Sequence, residues 1–429
     1  MKAILLVAGK GERLRPITST RPKPLIPILC KPLIYWHLDA LAKTSVDEII
    51  VVASYMKEKI VKAVEEHELS RKITVVDQGR ELGTGDAVAK ALEAMDSDDD
   101  VLIIYGDLFL GDWSIYKDLT SLDGNFVVAV EHNNPRDYGV LIVERGRVKG
   151  IVEKPEEPPT NLVNAGIYKF DSRILKKYIS SLKPSPRGEL EFTDVITNAA
   201  REGVDIKVYS IGKTEWIDIG TPWNLLEANK IALNKFLVNE IKGVVEDNVT
   251  IKGPVFIGEN SVVKQFTSIE GPAYIDRDVV IGPSARIRPY TTICRKSRVG
   301  FSVEVKESIL LEHVYVNHLS YVGDSIICEN VNFGAGTITA NLRFDEREVK
   351  MTIKGKRVSS GRRKLGAIVG ANVRTGINVS LMPGVKIGVN SWIAPGAIVD
   401  RDVPDNVFYR VRQEYYIESL PSIKHEEKK

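Results

Sequence analysis

From Val245 onward an aliphatic residue recurs at every sixth position: Val245, Ile251, Ile257, Val263, Ile269, Ile275, Ile281, Ile287, Ile293, Val299 and Val305. Eleven positions in one register are hard to obtain by chance and leave little choice of architecture. A sustained short period stacks equivalent units into a solenoid, and each unit contributes one inward side chain to a continuous core. The register resumes at Val369 and runs through Thr375, Leu381, Ile387, Ile393 and Val399.

The chain ahead of the repeat follows other rules. Ala3–Ala8 is an apolar run suited to a buried parallel strand, and it passes directly into GKGERLRPITSTRPKP, Gly9 to Pro24. A glycine-bearing loop at the carboxyl end of such a strand is where an α/β sheet binds its ligand. Gly9 and Gly11 let backbone N–H groups approach a polyphosphate, while Arg13, Arg15 and Lys23 supply opposing charge. The loop has neither the Lys-Ser/Thr pair of a P-loop nor the glycine spacing of a dinucleotide fingerprint. Leu33–Ala42 and Lys57–Glu68 read as helices and Glu48–Ala53 and Ile73–Asp77 as strands, an alternation that predicts a parallel sheet with helices on both faces. A last helix is predicted from Trp223 to about Asn239. At 429 residues the chain is long for a single core. It divides into an α/β Rossmann-like domain (1–240), an all-β repeat domain (241–408) and a tail (409–429) whose last ten residues are expected to fray.

Two carboxylates stand at strand ends in the first domain. Asp107 follows the apolar run Val101–Tyr105, and Asp218 lies in WIDIGTP. A carboxylate at the mouth of a buried strand costs solvation unless it is compensated, and a divalent ion bridging phosphates compensates it; a turn cap is the plainer alternative for Asp107. Oxygen ligands beside a phosphate substrate suit Mg²⁺ better than zinc. The third strand ends in DQGRELGTGDAV, where Gln78 can meet the edge of a base and Gly83–Thr84–Gly85 offers backbone groups nearby.

Gly9, Gly11, Arg13, Leu14, Pro16, Thr18, Pro22, Lys23, Pro24, Pro27, Lys31 and Pro32 together resemble the signature of the sugar-1-phosphate nucleotidylyltransferases. The resemblance implies that the loop wraps a nucleoside triphosphate, with Arg13 and Lys23 stabilising the leaving pyrophosphate. It implies that Gln78, Gly83 and Thr84 read a pyrimidine, UTP ahead of dTTP, and that Asp107 and Asp218 hold Mg²⁺. On the sugar side it implies Tyr138 and Gly139, Glu153 on the hydroxyls, Lys154 on the phosphate, and Asn164. Such chemistry needs no covalent residue, because the sugar phosphate oxygen attacks the α-phosphorus in line and positioning and electrostatics carry the rate.

The repeat resembles the left-handed parallel β-helix of the hexapeptide-repeat transferases, which implies eight to ten coils and a homotrimer. In bacterial and plant glucose-1-phosphate adenylyltransferases such a helix only assembles or regulates. The segment from Val305 to Asp345 separates the two cases, since it is similar to the acetyltransferase segment of bifunctional enzymes that acetylate glucosamine 1-phosphate and then attach uridylate. Acetyl transfer from acetyl-CoA to an amine needs a base, donors for an oxyanion and a cationic pocket. His318, one of six histidines, is the candidate base, with Glu304 to orient its imidazole. The resemblance places Arg288 and Lys306 on the sugar phosphate and Tyr321, Asn332 and Asn341 on the amino sugar, with Asn341 also in the catalytic set. It places Gly334, Ala335, Ala371 and Ala394 along the coenzyme A groove. After Asn341 this chain departs from the family: Arg343–Lys364 is an extension with nine basic residues, read as a solvated hairpin or as a phosphate-binding flap with Lys350 as its contact.

With 59 basic and 57 acidic residues the formal net charge is +2, and nothing in it points to nucleic acid or a membrane surface. Cys30, Cys294 and Cys328 are too widely spread for a zinc pair, and an odd number argues against a full disulfide framework. No leader precedes the first strand and no apolar run approaches a membrane span, so a reducing cytoplasm is the simplest compartment. The combined expectation is a bifunctional enzyme that forms UDP-N-acetylglucosamine from small-molecule substrates, with galactosamine 1-phosphate left open as acceptor. The alternative is a glucose-1-phosphate thymidylyl- or uridylyltransferase with a structural or regulatory β-helix.

Overall fold

Four parallel strands form one half of a nine-stranded sheet, in the spatial order Ile73–Asp77, Glu48–Ala53, Lys2–Leu6 and Asp100–Tyr105. The structure is a computed structural model and describes residues 1–186, 188–213 and 216–420. Alternate residues of these strands serve two different cores: Ile4, Ile50 and Ile103 pack on one face, Leu5, Val51 and Ile104 on the other. Burial on both faces is why the strands read as unbroken apolar runs.

Beyond Tyr105 the sheet departs from the parallel arrangement predicted for it. Leu162–Asp171 runs antiparallel to both Asp100–Tyr105 and Asn125–Glu131, and Gly139–Glu144 pairs antiparallel with Arg147–Glu153. The strand–helix alternation stops here. Arg145 and Gly146, both at positive φ, make a two-residue turn, and a turn that short can only join antiparallel neighbours. The sheet is therefore mixed.

Helix Pro222–Phe236 leads into the first strand of the repeat, Glu240–Ile241. Among the described residues the repeat builds three parallel walls of eight, nine and eight short strands, a left-handed parallel β-helix. Every residue of the six-residue register from Ile257 to Val305 is fully buried in one shared core. Many corners adopt left-handed backbone, and Asn248, Asn260, Asn330, Asn372, Asn390 and Asn406 occupy them because asparagine tolerates that region. Between Val305 and Thr339 the register breaks because several coils lose one corner residue; Glu304 pairs with Tyr321 and Thr292 with Ile309. Phe408–Tyr409 pairs with Trp392–Ile393, so the wall runs into the segment expected to be tail. The expected fraying falls, from 421 onward, outside the described residues.

The first wall of the β-helix is apolar outside as well as inside. Ile309, Leu311, Ile326 and Ile368 pack against Leu14, Ile17, Leu225 and Ala232 of the first domain. Around this boundary Arg21 pairs with Glu329 at 2.8 Å and Glu312 at 3.3 Å. Cys30 and Cys294 form a disulfide across it, which corrects the expectation of a reduced set; only Cys328 is a free thiol. The two half-cystines are 264 residues apart, and only the docking of the domains brings them together. The basic extension is also corrected. Lys350–Ile353 and Lys356–Ser359 form a hairpin, but Val349 and Met351 are buried in the boundary core, so it is not solvated on both sides.

Candidate active sites

The loop after the first strand is held from below. Leu14 and Ile17 are fully buried, Thr18 Oγ1 donates to Gly11 O at 2.8 Å, and Gly11 sits at φ 61° where a Cβ would lie 2.9 Å from Thr18 Cγ2. This folds the loop over a cavity of about 480 Å³ lined by Gly9, Gly11, Arg13, Lys23, Gln78, Gly83, Thr84 and Asp107. A second cavity of about 250 Å³ adjoins it, sharing Arg13 and Asp107, and is lined by Tyr138, Gly139, Glu153, Lys154, Asn164 and Asp218. Fourteen of the residues predicted for the first domain's site thus lie on two adjoining cavities, whereas Arg15, which is exposed, and Gly85, which is buried, line neither.

Lys23 occupies the centre. Its Nζ is 2.5 Å from Asp107 Oδ2 and 3.6 Å from Asp218 Oδ1. Burial would raise both carboxyls; at Asp107 the adjacent Lys23 ammonium outweighs it and the pKa lies below the usual range, whereas at Asp218 burial prevails and the pKa is raised. Asp218 Oδ1 is buried without a hydrogen-bond partner. Two converging carboxylates, one with an orphaned oxygen, beside a phosphate-sized cavity fit a hard divalent cation.

Several side chains are set by their neighbours. Gln78 Nε2 donates to Gly83 O at 3.0 Å and Asp86 Oδ2 at 2.9 Å. Thr84 Oγ1 accepts from Phe192 N at 3.0 Å, fixing the turn. A Cβ on Gly139 would lie 2.9 Å from Glu153 Oε2, so glycine makes room for that carboxylate. Lys154 Nζ is 3.7 Å from Glu153. Asn164 donates to Tyr168 Oη at 2.5 Å and accepts from Gly166 N at 3.1 Å, bracing a bulge in the strand beneath the sugar-side cavity.

In the second domain Arg288, Glu304, Lys306 and Tyr321 lie along the third wall, and Asn341 follows its strand Ile338–Thr339. Asn341 Nδ2 donates to Tyr321 Oη at 3.1 Å and to Asp324 Oδ2 at 2.5 Å. Lys306 Nζ is 3.1 Å from Asp324 Oδ2. His318 ends strand Tyr315–His318 of the second wall, exposed at the corner it shares with the third, and Asn332 lies on the second wall.

Residues 2–235 match the nucleotidyl transferase family, and residues 269–365 match the GMPPB C-terminal domain. The chain is 49% identical over 414 residues to the bifunctional sugar-1-phosphate nucleotidylyltransferase/acetyltransferase of Sulfurisphaera tokodaii, covering 96% of this chain and 100% of that one. It is 47% identical to the bifunctional protein GlmU of Methanocaldococcus jannaschii, covering 98% of this chain and 100% of the relative. The chain belongs to the bifunctional sugar-1-phosphate nucleotidylyltransferase/acetyltransferase family.

As a member of that family the chain shows two departures from its predicted site. Glu304 Oε1 accepts from Arg288 Nη1 at 2.8 Å, and among the described residues it makes no bond to His318. Both Glu304 and Arg288 project from the third wall, whereas the imidazole stands at the corner. Ala371 is 1% exposed and packed in the boundary core with the first domain, so it does not line a groove on the far side. It follows the first-wall strand Ile368–Val369, one strand too early. Gly334, Ala335 and Ala394 follow second-wall strands, and Gly376 is the in-register residue between them. Sequence reasoning also missed Asp324 and Glu307, which pair with Lys306, Arg362, which pairs with the same two carboxylates, and Tyr105, Glu191 and Trp216, which line the sugar-side cavity. Tyr105 and Trp216 adjoin motifs already noticed; Asp324 and Arg362 belong to no local pattern.

Proposed function

We propose that this enzyme makes UDP-N-acetylglucosamine at two centres: acetyl transfer from acetyl-CoA to glucosamine 1-phosphate on the β-helix, then uridylyl transfer from UTP to the product in the first domain. Galactosamine 1-phosphate is a second candidate acceptor. The observation that carries the second activity is the outer face of the third wall, which runs from exposed His318 at one corner, past Tyr321, to the bonded Asn341–Asp324 pair at the next. An assembly device has no use for a polar wall of this kind, with an exposed histidine at one edge and half-buried Tyr321 and Asn341 tied to buried Asp324 at the other.

For acetyl transfer, His318 takes the proton of the attacking amine, and its exposure leaves both ring nitrogens open to substrate. Arg288 and Lys306 face the acceptor phosphate, while Tyr321 and Asn341 orient the amino sugar. Gly334, Ala335 and Ala394 leave a small-residue track for acetyl-CoA. Asn332 lies on a different wall from Tyr321, so a second copy packed at the corner would bring both walls to one substrate. Exposed Phe266, Phe301, Leu319 and Ile338 flank that corner and supply apolar surface for a homotrimer.

For uridylyl transfer, the Gly9–Gly11 loop cradles the triphosphate and Arg13 and Lys23 neutralise charge that develops on the leaving pyrophosphate. Asp107 and Asp218 would hold Mg²⁺, which when bound supplies positive charge to the phosphates. Glu153 and Asn164 hold the sugar in line with the α-phosphorus, and Lys154 binds its phosphate. Gln78 reads the base. We place the enzyme in the cytoplasm with its soluble substrates; the cysteines no longer argue for that compartment, because one pair is bonded. Among the described residues no helix is long and apolar enough to cross a membrane.

The test is coenzyme A release from acetyl-CoA with glucosamine 1-phosphate, measured for the wild type and His318→Ala alongside uridylyl transfer to N-acetylglucosamine 1-phosphate. Loss of acetyl transfer alone in the variant is expected. No release by the wild type with either amino-sugar phosphate would overturn the reading and leave the β-helix an assembly domain.

A further inference from the structure

The extension after Asn341 starts and ends at one candidate site, and its tip reaches the other. Its base is closed by a bridge between Leu342 and Lys364 and anchored by Arg362, which pairs with Glu307 and lies 3.6 Å from Asp324. Its tip turns through Lys354 and Gly355, both at positive φ, on the first domain's side of the boundary. Among the described residues that line the 480 Å³ cavity, Lys354 is the one contributed by the β-helix domain. Its Nζ is 3.0 Å from Glu12 Oε2, inside the phosphate loop itself.

We propose that Lys354 belongs to the nucleotide site: it reaches across the domain boundary and binds the phosphate chain of the nucleoside triphosphate. The inference rests on the reading of this cavity as the nucleotide's.

Three observations carry it. The hairpin is built to hold a position, since Val349 and Met351 are buried in the same core as Leu14 and Ile17, the residues that hold the loop. Val349 N donates to Arg362 O at 2.8 Å and Ser360 N to Val349 O at 3.1 Å, closing the stem. The charge is matched as well. Glu12 lies between Gly11 and Arg13, where an unneutralised carboxylate would repel a polyphosphate, and the Lys354 ammonium holds its pKa below the usual carboxylate range. Finally, the pair does little for stability. The Lys354 side chain is 61% exposed, and exposed ion pairs contribute little, so a rigid hairpin delivering a mobile ammonium to this rim is accounted for by a ligand. A lysine on a flexible stem can leave Glu12 for an incoming phosphate without moving the hairpin.

The experiment is a UTP titration of uridylyl transfer by the full-length enzyme, comparing wild type, Lys354→Ala, Lys354→Arg, Arg13→Ala and, as a control from the same hairpin outside the cavity, Lys356→Ala. Lys354→Ala is expected to raise KM for UTP about 3–10-fold with kcat within about twofold, the loss expected for one half-exposed charge on a phosphate. Lys354→Arg restores KM, Lys356→Ala leaves it unchanged, and the difference between wild type and Lys354→Ala shrinks at about 0.5 M salt. Coenzyme A release by the same preparations reports an intact fold. An unchanged KM in Lys354→Ala while Arg13→Ala is crippled overturns the inference alone, as does an equal rise in Lys356→Ala. If Arg13→Ala is also unimpaired, the cavity is not the nucleotide's and the inference falls with that reading.

Discussion

Asn341 Nδ2 donates to Asp324 Oδ2 at 2.5 Å, and the same carboxylate takes Lys306 Nζ at 3.1 Å. Asp324 is 1% exposed, so it is the buried hub that holds an amide and an ammonium at the third wall. Removing its charge leaves Lys306 with only the longer pairing to Glu307, at 3.6 Å, and breaking a buried pair from one side costs up to about 3 kcal/mol. Asp324→Asn should therefore lower unfolding stability by roughly that amount and raise KM for the amino-sugar phosphate, because Asn341 and Lys306 lose their common anchor. Denaturant melts and coenzyme A release measure the two effects. A variant as stable as wild type would mean that Lys306 simply turns to solvent.

Lys23 lies between Asp107 and Asp218, and the first centre depends on it. Lys23→Met keeps the length and removes the charge, leaving two facing carboxylates and one fewer donor for the departing pyrophosphate. Loss of a single preorganised donor of this kind lowers kcat by about 10²-fold. Uridylyl transfer should fall by that order while coenzyme A release is retained, since the β-helix site shares none of these groups. Equal loss of both activities would point to misfolding instead.

Chelation should divide the activities along the same line. Asp107 and Asp218 converge and Asp218 Oδ1 has no hydrogen-bond partner, whereas the carboxylates of the second site are already engaged, Glu304 by Arg288, Glu307 by Lys306 and Asp324 by Lys306 and Asn341. Excess EDTA is expected to abolish nucleotide–sugar formation and to leave coenzyme A release untouched, with Mg²⁺ restoring the first. Uridylyl transfer that survives exhaustive chelation would remove the metal from the first centre.

What the sequence revealed follows the distance over which each feature is encoded. The inward residues from Ile257 to Val305 were legible because a six-residue period is local, and Gly9 to Lys23 because one loop carries most of a phosphate site in fifteen residues. Asp324 and Arg362 were not, since Asp324 meets Lys306 only when successive coils stack and Arg362 reaches Asp324 only when a hairpin folds back. Ala371 was misplaced because the extension interrupts the register, and one strand of error moves a residue to another wall. The antiparallel half of the sheet and the Cys30–Cys294 bond depend on pairings that no local string announces.

That disulfide closes the domain boundary over a separation of 264 residues. Cross-linking such distant points restricts the unfolded chain, an effect of about 2–4 kcal/mol in typical cases. Cys30→Ser or full reduction should lower the thermal midpoint, with the interface between Leu14, Ile17 and Ile326 loosening before either core. Limited proteolysis near helix Pro222–Phe236, which lies at that interface, follows the opening. If the midpoint is insensitive to reductant, the apolar boundary and the Arg21–Glu329 pair suffice without the bond.

Base choice rests on which end of the Gln78 amide faces the nucleotide. Its nitrogen meets two acceptors, Gly83 O and Asp86 Oδ2, so the amide can be oriented only one way and Oε1 is left to accept. Uracil presents an N3–H donor on its pairing edge, whereas cytosine presents an acceptor there; the free Oε1 therefore favours the first and repels the second. Gln78→Ala removes both effects. It should raise KM for UTP and narrow the preference for UTP over CTP in kcat/KM by about 10–100-fold, as for loss of one specifying hydrogen bond. Thymine carries the same N3–H as uracil, so the ratio of UTP to dTTP should not move. Gln78→Glu should do worse than alanine, because a carboxylate would face Asp86 and the Gly83 carbonyl and unseat the turn that carries Thr84. Unchanged discrimination against CTP in Gln78→Ala would transfer the reading of the base to the Gly83–Gly85 backbone.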